Sequence, residues 1–129
     1  MADRHFEIKS DYDQNIVRIS VKGFWRPEYF SEFVAAISAE ERYFTASKQT
    51  FKAICDARYF NVQGGDIFQM FAGFFDRPGV PITQAALIVS STLLKLQVMR
   101  VTTDRKYQFF DDPDLAETWI AAKIESTVS

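Results

Sequence analysis

The 129-residue chain has one cysteine and one histidine. A lone cysteine excludes an intrachain disulfide and fits a reducing compartment. Cys55 and His5 together cannot fill a tetrahedral N/S shell around zinc, so neither a metal nor a cofactor is expected. A Ser-His-Asp or Cys-His arrangement needs a base that is itself held by a third group, and His5 lies in a terminal segment ill suited to that role. Basic excess is missing as well. Lys and Arg number 15 against 17 Asp and Glu, a net charge of −2, which leaves no surplus to neutralise phosphates and argues against nucleic acid. The group Arg100, Arg105 and Lys106 reads as a solvated helix end. No apolar run approaches the roughly 20 residues of a membrane span, and "MADRHFEIKSD" has no apolar signal core. A cytoplasmic protein is expected.

Glycine is scarce too, with five copies. Only Gly64 and Gly65 adjoin, and they lack both the G-x-G-x-x-G spacing and the Lys-Ser/Thr ending of nucleotide cradles. Their simplest role is a tight loop that needs positive φ. A second role is to let backbone N–H groups meet an anion at a helix start.

What is present is ordinary in bulk: 47% apolar and 25% charged residues, in a length that suits one domain, residues 1–129. Phe is the outlier, with thirteen copies. "FEIKS" (6–10) and "IVRISVKG" (16–23) alternate apolar and polar around the turn residues "DYDQN", which predicts an antiparallel hairpin. Pro27 opens a helix whose Phe30, Phe33, Val34, Ile37 and Phe44 share one arc. "FKAICDA" (51–57) reads as a central strand with Phe51, Ala53 and Cys55 on one side. "DIFQMFAGFFD" (66–76) reads as a helix stopped by "RPGVP". "ITQAALIVS" (82–90) is a second central strand. "SSTLLKLQVMRVTTD" (90–104) is taken as a helix, because parallel neighbours need a crossover. "KYQFFD" (106–111) is the last strand. In the closing helix Asp112 is the N-cap, Pro113 takes the first position, and Leu115, Ala116, Trp119, Ile120 and Ile124 form the buried side. The fold class is therefore α/β, order β-β-α-β-α-β-α-β-α, with a mixed five-stranded sheet flanked by four helices.

Several residues are candidates for function. Cys55 shares a face with Phe51 and Ala53 and reads as a small core residue rather than a nucleophile. Asp56 ends a central strand, where open α/β sheets present their ligand crevice; pairing with Arg58 is its structural alternative. Asp66 starts the following helix, and Asp76 ends it. Ile67, Phe68, Met70, Phe71, Phe74 and Phe75 cover an arc of roughly 160°, wider than the ~100° stripe of an ordinary surface helix. Leu93, Leu96 and Met99 lie opposite Leu94, Val98 and Val101. Two over-apolar helices predict a shared exposed apolar surface for a dimer, partner or lipid.

The element order, the strand-Asp-loop-helix of residues 51–75 and the closing "FFDDPDLAETWI" resemble the STAS family of anti-sigma-factor antagonist domains, most of all its SpoIIAA-like branch. The resemblance spans essentially the whole chain. It implies a non-enzymatic interaction module that binds a protein partner through loop 58–66 and the face of helix 66–76. It matches Asp56 to the family's strand-end Asp and "NVQGGD" (61–66) to the place of a phosphorylatable Ser or Thr. No Ser or Thr stands between Thr50 and Thr83, so the phospho-switch is missing. The expected contact residues are Asp56, Arg58, Asn61, Gly64, Gly65, Asp66, Phe68, Phe71 and Phe75, and the expected assembly is a homodimer. The alternative is a carrier or sensor of a small apolar, lipid-like ligand. An enzyme built on Asp56 and Arg58 is disfavoured for want of a base-nucleophile pair.

Overall fold

Two residues build the first hairpin turn. Asp11 Oδ1 accepts the N–H groups of Asp13 (3.0 Å) and Gln14 (3.1 Å), and Asn15 takes a φ of 58°, a conformation Asn tolerates well. A computed structural model describes residues 5–102 and 106–122. These form β1 (Phe6–Asp11), β2 (Ile16–Gly23), α1 (Pro27–Ala46), β3 (Phe51–Phe60), α2 (Gly65–Phe75), β4 (Ile82–Ile88), α3 (Thr92–Met99), β5 (Tyr107–Phe110) and α4 (Pro113–Ala121). The sheet runs β1-β2-β3-β4-β5, with β1 antiparallel to β2 and every later pair parallel.

Sequential strand order has a direct consequence. Right-handed crossovers between successive neighbours carry their helices to one face of the sheet. Accordingly α1, α2 and α3 pack over Val17, Val21, Ala53 and Ala85. The opposite face belongs to α4, whose Ala116 and Ile120 sit on Ile16, Ile54, Ala86 and Ile88.

Boundaries depart from the sequence pattern where tertiary pairing extends or shortens an element. β3 continues to Phe60 because β2 keeps pairing with it, Lys22 with Tyr59 and Gly23 with Phe60, past an irregularity after Ser20 that admits an extra residue. Arg58 is therefore a strand residue, and the loop begins at Asn61. α3 is shorter than residues 90–104. Ser91 caps it, Oγ accepting the Leu94 N–H at 3.2 Å, and it ends at Met99; Arg100 beyond it is exposed. Residues 103–105, Arg105 among them, lie outside the described residues. α4 starts as its residues dictate, with Asp112 Oδ1 accepting the Asp114 N–H at 2.9 Å. Leu115, expected on its buried side, is 56% exposed. The helix rests on Ala116 and Ile120, one turn apart, with Trp119 against the Phe110 ring at 5.7 Å, and Leu115 falls outside that narrow line. Ile124 lies outside the described residues.

Most of the thirteen Phe gather on the three-helix face, Phe110 packing against α4 instead. Trp25, 1% exposed, is the hub, with ring centroids 5.5 Å from Phe33, 5.2 Å from Phe60 and 5.6 Å from Phe71. Its indole N–H donates to the Lys22 carbonyl at 3.0 Å. One side chain thereby ties α1, β3 and α2 together. Trp25→Ala is expected to cost about 3–5 kcal/mol, measured by urea unfolding; a loss under about 1 kcal/mol, the range of surface changes, would contradict the hub.

Candidate functional site

The loop that follows β3 is held by amides. Gln63, buried at 6% exposure, accepts the Trp25 backbone N–H on Oε1 (2.9 Å) and donates from Nε2 to the carbonyls of Gly23 (3.1 Å) and Asn61 (2.7 Å). Its backbone N–H donates to Gln97 Oε1 at 3.0 Å, and Gln97 Nε2 donates back to the Gln63 carbonyl at 3.0 Å. A buried amide with every group engaged is a strong positional constraint. It joins the ends of β2 and β3 to α3. Neither glutamine stood out in the sequence, since no periodicity marks an amide that bonds to loop backbone.

The two glycines do not serve as expected. Gly64 caps α2 with a φ of −69°, and the positive-φ glycines among the described residues are Gly23 and Gly79. The tight positive-φ loop is thus corrected. A Cβ at Gly64 would meet the Phe24 ring at an ordinary 3.6 Å and Asp66 Oδ1 at a tighter 3.3 Å. That same Oδ1 accepts the Ile67 N–H at 2.8 Å, so Asp66 does support the helix start. Asn61, Gly65 and Asp66 are exposed.

Asp56 and Arg58 lie on the other side of the sheet. Asp56 pairs in register with Ile88, which belongs to the α4 face. Arg58 grips it with a fork, Nε to Oδ1 at 2.9 Å and an NH2 group to Oδ2 at 2.7 Å, while the Arg58 backbone N–H adds 3.1 Å to Oδ1. These bonds hold the Asp56 carboxyl below its ordinary range against the opposing effect of burial. The carboxylate is occupied in both directions, a poor state for proton transfer. Next to it, burial and then the Asp56 charge push the Cys55 thiol up to about 12, which leaves almost no thiolate. The His5 ring stacks on Tyr29 at 3.7 Å. Among the described residues no group of three His, Cys, Asp or Glu could hold a metal ion.

Phe68, Phe71 and Phe75 point elsewhere. They line a chamber of about 130 Å³ between α2, α3 and the sheet. On the sheet side, small residues of β3 and β4 (Ala53, Cys55, Ala57 and Ala85) line it together with larger ones such as Ile19, Val21, Ile82 and Leu87. Phe74 lines it as well, and the Phe71 and Phe74 rings also meet α1 (Phe30 to Phe71, 5.0 Å; Phe33 to Phe74, 5.5 Å). Of α2 only Ile67 is fully buried; its phenylalanines are half-buried, so the wide apolar arc wraps a void and α1. The apolar arc of α2 is thus partly open to solvent. More fully exposed apolar residues lie on α3 and the rim, Leu93 69%, Leu96 53%, Met99 45%, Phe24 58% and Val62 42%, besides Leu115 on α4 and three tyrosines.

The Asp56–Arg58 pair makes stability depend on pH. The folded-state pKa of Asp56 lies below its unfolded value, so its contribution is present above the ordinary carboxylate range and is lost as pH falls through the folded value. Glu117, lowered by its hydrogen bonds to Arg18, acts with the same sign. The Asp56→Asn variant is expected to lose less stability than the wild type between pH 7 and the acid range, read from urea midpoints; equal losses would contradict the pairing.

No protein-family model and no curated protein matches the chain. Two solved structures superpose over most of it. An anti-sigma factor antagonist from Mycobacterium paratuberculosis has a TM-score of 0.63 at 14% identity, covering 94% of this chain and 98% of that one. An uncharacterized protein of the DUF3478 family with a SpoIIAA-like fold, from Shewanella loihica, has a TM-score of 0.68 at 16% identity, covering 90% and 92%. Sheet, crossovers and helix placement agree with the order read from the residues. The chain therefore carries the SpoIIAA-like α/β fold.

Proposed function

We propose that this chain is a non-enzymatic, cytoplasmic STAS-like interaction module that works without a phospho-switch and docks a protein through the rim at the C-terminal ends of its parallel strands. The observation that carries the reading is the apolar patch of Phe24, Val62, Leu93 and Leu96. Its parts belong to one surface: Gly64 abuts the Phe24 ring, and the Gln63–Gln97 amide pair locks the loop carrying Val62 to the helix carrying Leu93 and Leu96. Clustered exposure of this kind marks interaction sites, and a surface held by buried amides loses little freedom when a partner binds. The engaged Asp56, the protonated Cys55 and the stacked His5 support a role other than catalysis. The contact set drawn from the sequence narrows accordingly, to Asn61, Gly64, Gly65 and Asp66 beside the patch. A homodimer is the simplest assembly that covers the patch.

A second reading rests on the chamber. Its apolar wall over α2 and α3 supports the binding of a small apolar ligand, in a carrier or sensor role. No helix among the described residues is long and apolar enough to cross a membrane.

Replacing Leu93 and Leu96 together by Glu is expected to leave the circular dichroism spectrum unchanged and to convert a two-chain mass in light scattering into a one-chain mass. A wild-type protein that stays one-chain at every concentration would overturn the homodimer. Equal recovery of a bound protein by wild type and by the double variant would overturn the patch as the docking surface.

A further inference from the structure

The chamber is specific in size as well as in polarity. Its volume of about 130 Å³ is close to that of an engineered apolar cavity of about 150 Å³ that stays dry and takes up benzene or xenon. A space that one ring nearly fills has no room for a long acyl chain. The wall supplies what a ring prefers. Phe68, Phe71 and Phe75 line it, and rings here already meet edge to face, as Phe75 does with Tyr107 at 5.4 Å and an interplanar angle of 85°. The polar groups deep in the wall are committed. Gln63 and Gln97 bond to each other and to loop backbone, and Arg77 forks onto Glu41 at 2.9 and 2.8 Å. A ligand that asked for hydrogen bonds would have to break these pairs. The lining residues Phe68 and Phe75 of α2, Val98 of α3 and Val101 just beyond α3 are all half-exposed, so the chamber opens to solvent on this side.

We propose that the chamber is a binding site for a hydrocarbon-like molecule of single-ring size, an alkylbenzene or a short alkyl chain, that enters on the side of α2 and α3. The proposal rests on the second reading above and sets its ligand class. The floor residue Cys55 faces this space, so bulk added there competes with the ligand.

The experiment compares toluene with dodecanoate as probes of the full chain, by thermal unfolding and by amide chemical shifts. Saturating toluene is expected to raise the midpoint by roughly 4–8 °C, the response of a domain of about this size to a ligand near 10 times its Kd. The largest shift changes should fall at Cys55, Phe71 and Val98, with no such response to dodecanoate. Cys55→Leu, folded by circular dichroism, is expected to abolish the toluene response; if it does not fold, Ala53→Val serves in its place. A response to dodecanoate without one to toluene would overturn the size class and leave an apolar ligand in place. Silence to both would overturn the ligand reading as well. An unaltered toluene response in the folded variant would overturn the chamber as the site.

Discussion

One mismatch shapes this molecule: small side chains on the middle strands lie beneath a helix of large ones. Ala53, Cys55, Ala57 and Ala85 are the low points of a floor that Ile19, Ile82 and Leu87 share, and α2 sets a roof whose Phe71 and Phe74 rings also meet Phe30 and Phe33 of α1. Interiors are normally packed to crystal density, whereas here a chamber of about 130 Å³ lies between floor and roof. The phenylalanines of α2, shared between the chamber and α1, are half-buried.

The same arrangement gives α3 two apolar sides. Inside, α3 presents Leu94 and Val98 to the core; outside, it presents Leu93, Leu96 and Met99 to solvent. Gln97 lies between them and reaches the loop after β3. A short helix of eight residues (Thr92–Met99) is thus wall to the chamber and part of the rim. The loop's rigidity comes from Gln63 rather than from glycine, and Trp25 anchors both, its N–H held by Gln63 and its ring by Phe71.

Much of the fold was legible because local and global preferences agree. Alternation gave the hairpin, Pro27 and Pro113 marked helix starts, and the crossover requirement resolved the ambiguous stretch after Ser90 into a helix. The strand end was not legible at Arg58, because continued pairing with β2 past a bulge overrides local pattern. The site was read less well. The Asp56–Arg58 pair was foreseen as a structural alternative, and the exposed face of α3 follows from its periodicity. Phe68, Phe71 and Phe75 were chosen for an apolar arc too wide for one sheet face, and that width was real, the arc being shared between a cavity, α1 and solvent. A helical wheel cannot distinguish a void from an interface. Gln63 and Gln97 were invisible, since their partners are backbone atoms on segments far apart in sequence.

The most direct measurement of this account is a crystal structure under xenon pressure. The low points of the floor beneath the Phe roof predict a xenon atom in the chamber beside Cys55 and Phe71, with the surrounding rings unmoved. A chamber without xenon, its phenylalanines seated on Ala53 and Ala57, would contradict it.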